Sequence, residues 1–298
     1  MFDGILWILG GIAHGPRDLV YALGDPASWL DWSDPQAILR FAYYGGSSQV
    51  FFVAFDLFLL LLALGLWRRG LLWGFVRGAE AFANAMGRLF AWAGLAMVLQ
   101  QVVIVFLQRV FLVSQISVGP FGTVFTRDLS WYSEELKLYN AMIVALCCAW
   151  TFVQGGHVRV DLVYARVTRR SRKIIDAAGS LVLMAPMLVL SWLYAWFFLW
   201  RHLITPKISA SDSLEAMLRK SRVLKWNVET IGFSPNGFDA YFLFKLLILA
   251  FIAMMLLQAV TFFFRNVLEL VEGPEADGRF HDPDRRGEGG PPHPAETM

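Results

Sequence analysis

Charge is scarce in this chain. Lys, Arg, Asp and Glu make up 17% of its 298 residues, against 57% hydrophobic and 15% aromatic. So few charges cannot clothe a soluble surface. A formal net charge of +2 gives no basis for nucleic-acid binding, and what informs is where the charges lie. Cysteine is scarcer still. Cys147 and Cys148 are the only two and they are adjacent; helix neighbours point about 100° apart, which disfavours a disulfide between them. Histidine is scattered rather than gathered. His14, His157, His202, His281 and His293 fall at different places relative to the apolar runs, which disfavours a zinc site or a haem held between paired histidines. A glycine-rich phosphate loop with its lysine is missing, as is a Ser-His-Asp or Cys-His arrangement. No cofactor and no catalytic residue is expected. The first residues also lack a cationic leader, and the apolar stretch 5–13 is short and glycine-rich, so the mature chain is read as starting here.

Long apolar runs are what the chain does have. They cover 50–67, 89–108, 138–153, 177–200 and 241–264, each near the length that crosses a bilayer. The fold class expected is an all-α integral membrane protein with about five transmembrane helices plus short interfacial helices. Residues 1–49 are weakly acidic and rich in Trp, and are placed outside the cytoplasm. Asp56 lies inside the first span, where a carboxylate costs about 2.5–3.5 kcal/mol, so it should face protein, water or the headgroup zone. A cytoplasmic loop is expected over 68–88, with Arg68, Arg69, Arg77 and Arg88 marking its side. Gln100 and Gln101 fall inside the second span and should hydrogen-bond to a neighbouring helix. The loop 201–240 holds an amphipathic pattern near 212–224, with Asp212 and Glu215 in a capping arrangement, which predicts a short interfacial helix. Residues 266–298 form a tail, disordered from about 273 because Gly and Pro dominate without apolar periodicity.

The stretch 131–176 orients the rest. Trp131, Glu134 and Glu135 stand at its entrance, Trp150 lies in the apolar span, and His157, Arg159 and Asp161 follow it. Then come Arg166, Arg169, Arg170, Arg172 and Lys173, the densest positive cluster, which marks the cytoplasmic side and suits contact with anionic lipid. The paired glutamates have two readings: an acid/base couple, or, better supported, helix N-terminal caps that favour the dipole.

Trp131-x-x-Glu134-Glu135-Leu136, the following span with Trp150, and Gly156-His157-Val158-x-Val160-Asp161 resemble the signature of the small membrane subunit of TRAP (tripartite ATP-independent periplasmic) transporters, the DctQ-like family. The resemblance runs roughly over 88–272, with a four-helix core at 89–265 and the span 50–67 as an addition. It departs where Leu138 follows Lys137 and where Cys147 replaces an early glycine. The family implies a scaffold in the bacterial inner membrane, with N-terminus periplasmic and C-terminus cytoplasmic. Its implied partners are a large multi-span TRAP subunit, a periplasmic substrate-binding protein and membrane lipid, in ion-gradient-driven, sodium-coupled uptake of an organic acid. On that reading Trp131, Glu134, Glu135, Trp150, His157, Arg159 and Asp161 are subunit contacts or interfacial anchors. The alternatives are an electron-transfer membrane anchor and a stand-alone channel or carrier lined by Asp56, Gln100 and Gln101.

Overall fold

A computed structural model describes residues 2–118, 125–155, 166–227 and 237–280. Five of its helices are long and apolar enough to cross a membrane. In chain order the helices are α1 (Phe2–Gly24), α2 (Ala27–Leu30), α3 (Pro35–Tyr44), α4 (Ser48–Trp67), α5 (Arg69–Arg109), α6 (Leu129–Val153), α7 (Arg169–Leu203), α8 (Leu214–Lys220) and α9 (Phe242–Glu272). The spans are α4, α5, α6, α7 and α9. Two short antiparallel ribbons, β1 (Gln115–Val118) with β2 (Phe125–Asp128) and β3 (Ile204–Thr205) with β4 (Lys225–Trp226), tie loops together. The chain is therefore an all-α membrane protein.

Local chemistry sets the helix starts. Asp34 accepts the Gln36 amide with Pro35 in the first turn of α3, and Ser47 accepts the Val50 amide at the head of α4; each satisfies an amide that the helix itself leaves unpaired. In α7 the backbone widens into a π turn over Ser180–Met184. Pro186 follows directly; it has no amide to give the Val182 carbonyl, and the π turn absorbs that defect within a continuing span.

Three boundaries differ from those expected. The expected loop over 68–88 is the first half of the 41-residue helix α5, separated from α4 by Arg68 alone. Leu72, Trp73, Val76, Ala79, Ala83 and Gly87 recur at helical spacing and are buried, while Arg69, Arg77 and Arg88 lie on the exposed side; an apolar stripe of that kind holds a helix together whether or not lipid surrounds it. The expected tail is structured further than its composition suggests: α9 runs to Glu272, and after a turn at Gly273 (φ 95°) the segment to Phe280 folds back with Ala276 buried. Finally, α8 is capped by Ser213, whose hydroxyl accepts from Ala216, not by Asp212. Asp212 instead accepts the Ser209 amide at 2.8 Å and pairs with Lys220 at 2.6 Å.

The most enclosed span is α9, which buries 39% of its most apolar stretch against 6% for α5. Around it, Ala83, Ala149, Met254 and Met255 join α5, α6 and α9, while Leu72, Val76, Phe264 and Leu268 join the start of α5 to the end of α9. At the other end of α7 an aromatic cluster packs Trp32, Phe41, Trp196, Trp200 and Trp226. There the indoles of Trp196 and Trp192 donate to the carbonyls of Ala42 and Gly45, fixing α3 to a span.

Candidate functional site

The signature residues at the entrance of α6 each hold a different piece of chain. Neighbours on a helix project about 100° apart, so Glu134 and Glu135 reach two elements at once. Glu134 accepts the Phe238 amide at 2.9 Å, pinning the segment that leads into α9. Glu135 accepts from the Gln100 side chain at 3.1 Å, and the same amide nitrogen donates to the Tyr132 carbonyl at 3.2 Å, pinning α5. Trp131 donates its indole N–H to Asp239 at 3.3 Å and packs its ring on Phe238, and Arg127 lies 3.7 Å from the same Asp239. The capping reading of the glutamates needs correction: α6 begins at Leu129, which puts both carboxylates beyond the first turn, where the unpaired amides lie. The expectation for Gln100 is met by a cross-helix hydrogen bond.

Lower on the same helix pair a close seam runs between α5 and α6. Trp150 packs over Gly87 so tightly that a Cβ there would lie 2.2 Å from the Trp150 Cβ. Cys147 donates its thiol to the Gly87 carbonyl at 3.4 Å, and Gln154 donates to Asn84 at 3.1 Å. The room for this close approach is supplied by Gly87 on the facing helix.

At the end of α9 a charged clasp gathers residues distant in sequence. Arg265 forks onto Glu80 of α5 with contacts of 2.7 and 2.5 Å and leans on the Trp73 ring. Glu269 receives Lys173 of α7, and Arg169 closes on Asp277 at 2.5 and 2.7 Å while donating to the carbonyls of Glu269 and Gly273. Those carbonyls belong to the last turn of α9, so Arg169 also caps it and meets the negative end of its dipole. Trp73 donates to Glu272, which lies near Arg279. The cations Arg169, Lys173, Arg265 and Arg279 balance Glu80, Glu269, Glu272 and Asp277, so the charge cluster, buried at Glu80, Arg265 and Glu269 and open to solvent at Asp277 and Arg279, is neutral. The guanidinium of Arg169 holds the Asp277 carboxyl below its ordinary value, against a smaller upward push from burial.

The basic cluster thus divides. Arg169 and Lys173 are committed to protein carboxylates, whereas Arg166 and Arg170 are exposed and Arg172 donates to the Val167 carbonyl. His157, Arg159 and Asp161 lie outside the described residues. Glu80, Arg265, Glu269 and Asp277 were not among the sequence candidates. A signal was available: charged residues inside or just beyond apolar runs, opposite in sign. Among the described residues no group of three or more His, Cys, Asp or Glu is placed to hold a metal ion.

Residues 116–211 match the family model for tripartite ATP-independent periplasmic transporters, DctQ component. The chain carries a DctQ domain. That segment is similar to the small component of TRAP transporters, and the five long apolar helices suit a multi-pass membrane protein. Comparison with curated proteins and with solved structures gave no match. The DctQ match contains β1 from Ile116 on, β2, α6 and α7, and with them every candidate residue from Trp131 to Lys173. Their partners Asn84, Gly87, Gln100, Phe238, Asp239, Glu269 and Asp277 all lie outside it. The matched segment is therefore held in place by contacts to the chain on both sides.

Proposed function

We propose that this chain is the scaffold subunit of a TRAP transporter that takes up an organic acid at the expense of an ion gradient, sodium on the family's implication, with substrate and ion held by other chains. It steadies a large multi-span subunit, working beside a periplasmic binding protein, with its N-terminus periplasmic and its C-terminus cytoplasmic. The observation that carries this reading is the use made of polar groups beside and within the DctQ domain. Glu134, Glu135, Gln100, Arg169 and Lys173 bind other parts of the same chain, which is how anchors behave; a carrier would present such groups to a passing solute. Trp131 and Trp150 serve the same anchoring role, and His157, Arg159 and Asp161 are assigned to it on the family resemblance. Arg166 and Arg170 are exposed to meet anionic lipid, with Arg172 beside them in the same basic cluster, and the loop around α8 contributes to docking the binding protein.

Flux measurements test the reading. This chain alone in liposomes should pass no organic acid, and uptake should appear when the large subunit and binding protein are added. Flux from the chain by itself would favour the stand-alone carrier. Anchoring and proton chemistry separate at one residue: Glu134→Gln keeps an acceptor for the Phe238 amide and should preserve uptake by the assembled system, whereas Glu134→Ala should lose about 1–3 kcal/mol of stability and reduce uptake. Loss of uptake in the Gln variant with stability unchanged would overturn the anchor role.

A further inference from the structure

Helix α5 is too long for the bilayer it crosses. Its 41 residues extend about 61 Å, twice a hydrocarbon thickness of about 30 Å, and its most apolar stretch is only 6% buried. Polar ties show which part of it lies in the membrane. Glu80 pairs with Arg265 of α9, while Gln100 donates to Glu135 of α6, and these two ties stand about 30 Å apart along the helix. On α9 the uncharged run between Lys245 and Arg265 has the same length, about 30 Å. The bilayer therefore ends on α5 near Gln100.

A bilayer centred on α4 would end lower still, because that helix doubles back into α5 at Arg68, with Gly65 against Leu72, and lies beside 69–88. Arg88 and Arg109 form another bracket, of about 31 Å. It would sink Glu134, Glu135 and Lys137 towards the middle of the hydrocarbon, where ionised groups are strongly disfavoured; the first placement leaves Arg88 there. Residues 101–111 thus rise above the membrane face at which α6 begins, by about 13 Å at Arg109. They stay apolar as they do so. Val103, Phe106, Val110 and Phe111 are all exposed, Phe106 at 55% and Phe111 at 65%. Acyl chains do not reach that height, so neither lipid nor water suits this surface.

We propose that the exposed face of α5 from Trp92 up to Phe111 is the docking surface for the large multi-span subunit, an inference that rests on the scaffold reading above. Trp92, Leu95 and Leu99 are exposed within the bilayer section and lead without a break into the projection. The partner is therefore embedded in the bilayer and rises above it, which a water-soluble binding protein does not do. A second copy fits poorly. Copies share one orientation in the membrane, so a two-fold pair sets each residue against its own level. Between Glu80 and Asp128 the sequence holds Arg88, Arg109 and Arg127 and neither Asp nor Glu, so such a pair would bring like charges together. A different chain with a carboxylate at the height of Arg109 meets both the charge and the apolar surface.

The photoreactive residue p-benzoylphenylalanine, placed at Val103 or at Phe106 in full-length chain, tests the surface. The chain is co-expressed with the tagged large subunit of the same transporter and irradiated in the membrane. Both sites should yield a covalent adduct with the large subunit. Adducts only with a second copy, only with the binding protein or only with lipid would overturn the proposal. Phe106→Asp and Arg109→Glu should each lower the amount of large subunit that co-purifies at least fivefold, while the unfolding midpoint of the chain alone stays unchanged because both side chains are exposed. Undiminished co-purification in both variants would also overturn it. The two levels of failure are distinct: if the unaltered chain brings down no large subunit, the scaffold reading falls and this surface with it, whereas co-purification without adducts at 103 and 106 removes the surface alone.

Discussion

At the scale of single residues, the chain's scarce charge is concentrated where its energetic consequence is large. Arg265 and Glu80 are each 9% exposed in their side chains and make a two-pronged contact. A buried pair often contributes little beyond a well-packed apolar replacement, but a buried charge stripped of its partner is costly. Arg265→Leu should therefore destabilise by about 3–5 kcal/mol, read as a lower thermal unfolding midpoint in detergent, because Glu80 and Glu269 lose their shared cation. The double change with Glu80→Leu should recover part of that loss. Asp277 supplies a pH dependence. Its folded pKa is lowered, first by the hydrogen bonds from Arg169, so its contribution is full above the unfolded value of about 3.9 and fades as pH falls through the lower folded value. The Gly278 amide donates to Glu269 in the same segment. Its hydrogen exchange should be protected at neutral pH and lose protection only in acid below about pH 4, whereas Asp277→Asn should already show faster exchange at neutral pH.

At the scale of elements, the α5 and α6 pair depends on one missing side chain. Gly87 sits under Trp150, so Gly87→Leu must push the helices apart or turn Trp150 out of its place. Overpacking of this kind costs about 1–3 kcal/mol, measured as the same unfolding midpoint, and it should weaken the Cys147 contact to the Gly87 carbonyl. Gly87→Ala should have a smaller effect of the same sign. Periodicity in 69–88 was readable in the sequence as an apolar stripe, yet arginine in the same segment suggested a loop. The stripe prevailed because its residues find the ends of α4 and α9 to pack against.

At the scale of the molecule, the clasp joins the start of α5, the start of α7, the end of α9 and the segment that follows it. Truncation after Gly273 removes Asp277 and leaves Arg169 without its carboxylate. It should lower the unfolding midpoint of the whole bundle, by less than Arg265→Leu does, since Arg169 and Asp277 are about a third exposed, at 30% and 36%, and solvent screens them. A local effect confined to the C-terminal end, with the bundle midpoint unchanged, would show that the clasp ties down only its own segment.

The sequence by itself determined the class: spans long enough to cross a bilayer, a dearth of charge that rules out a soluble surface, and a signature at 131–161 that places the chain beside the DctQ family. These are properties of composition and local order, and hydrophobic periodicity reports them without any partner. Only the tertiary structure decided the destinations of the polar groups. Glu134 and Glu135 look alike in sequence yet hold α9 and α5 respectively, and Arg169 and Lys173 leave a basic cluster to meet Glu269 and Asp277 about a hundred residues away. A charge is recorded by its position in the chain, but its energy is set by whichever opposite charge folding brings near it.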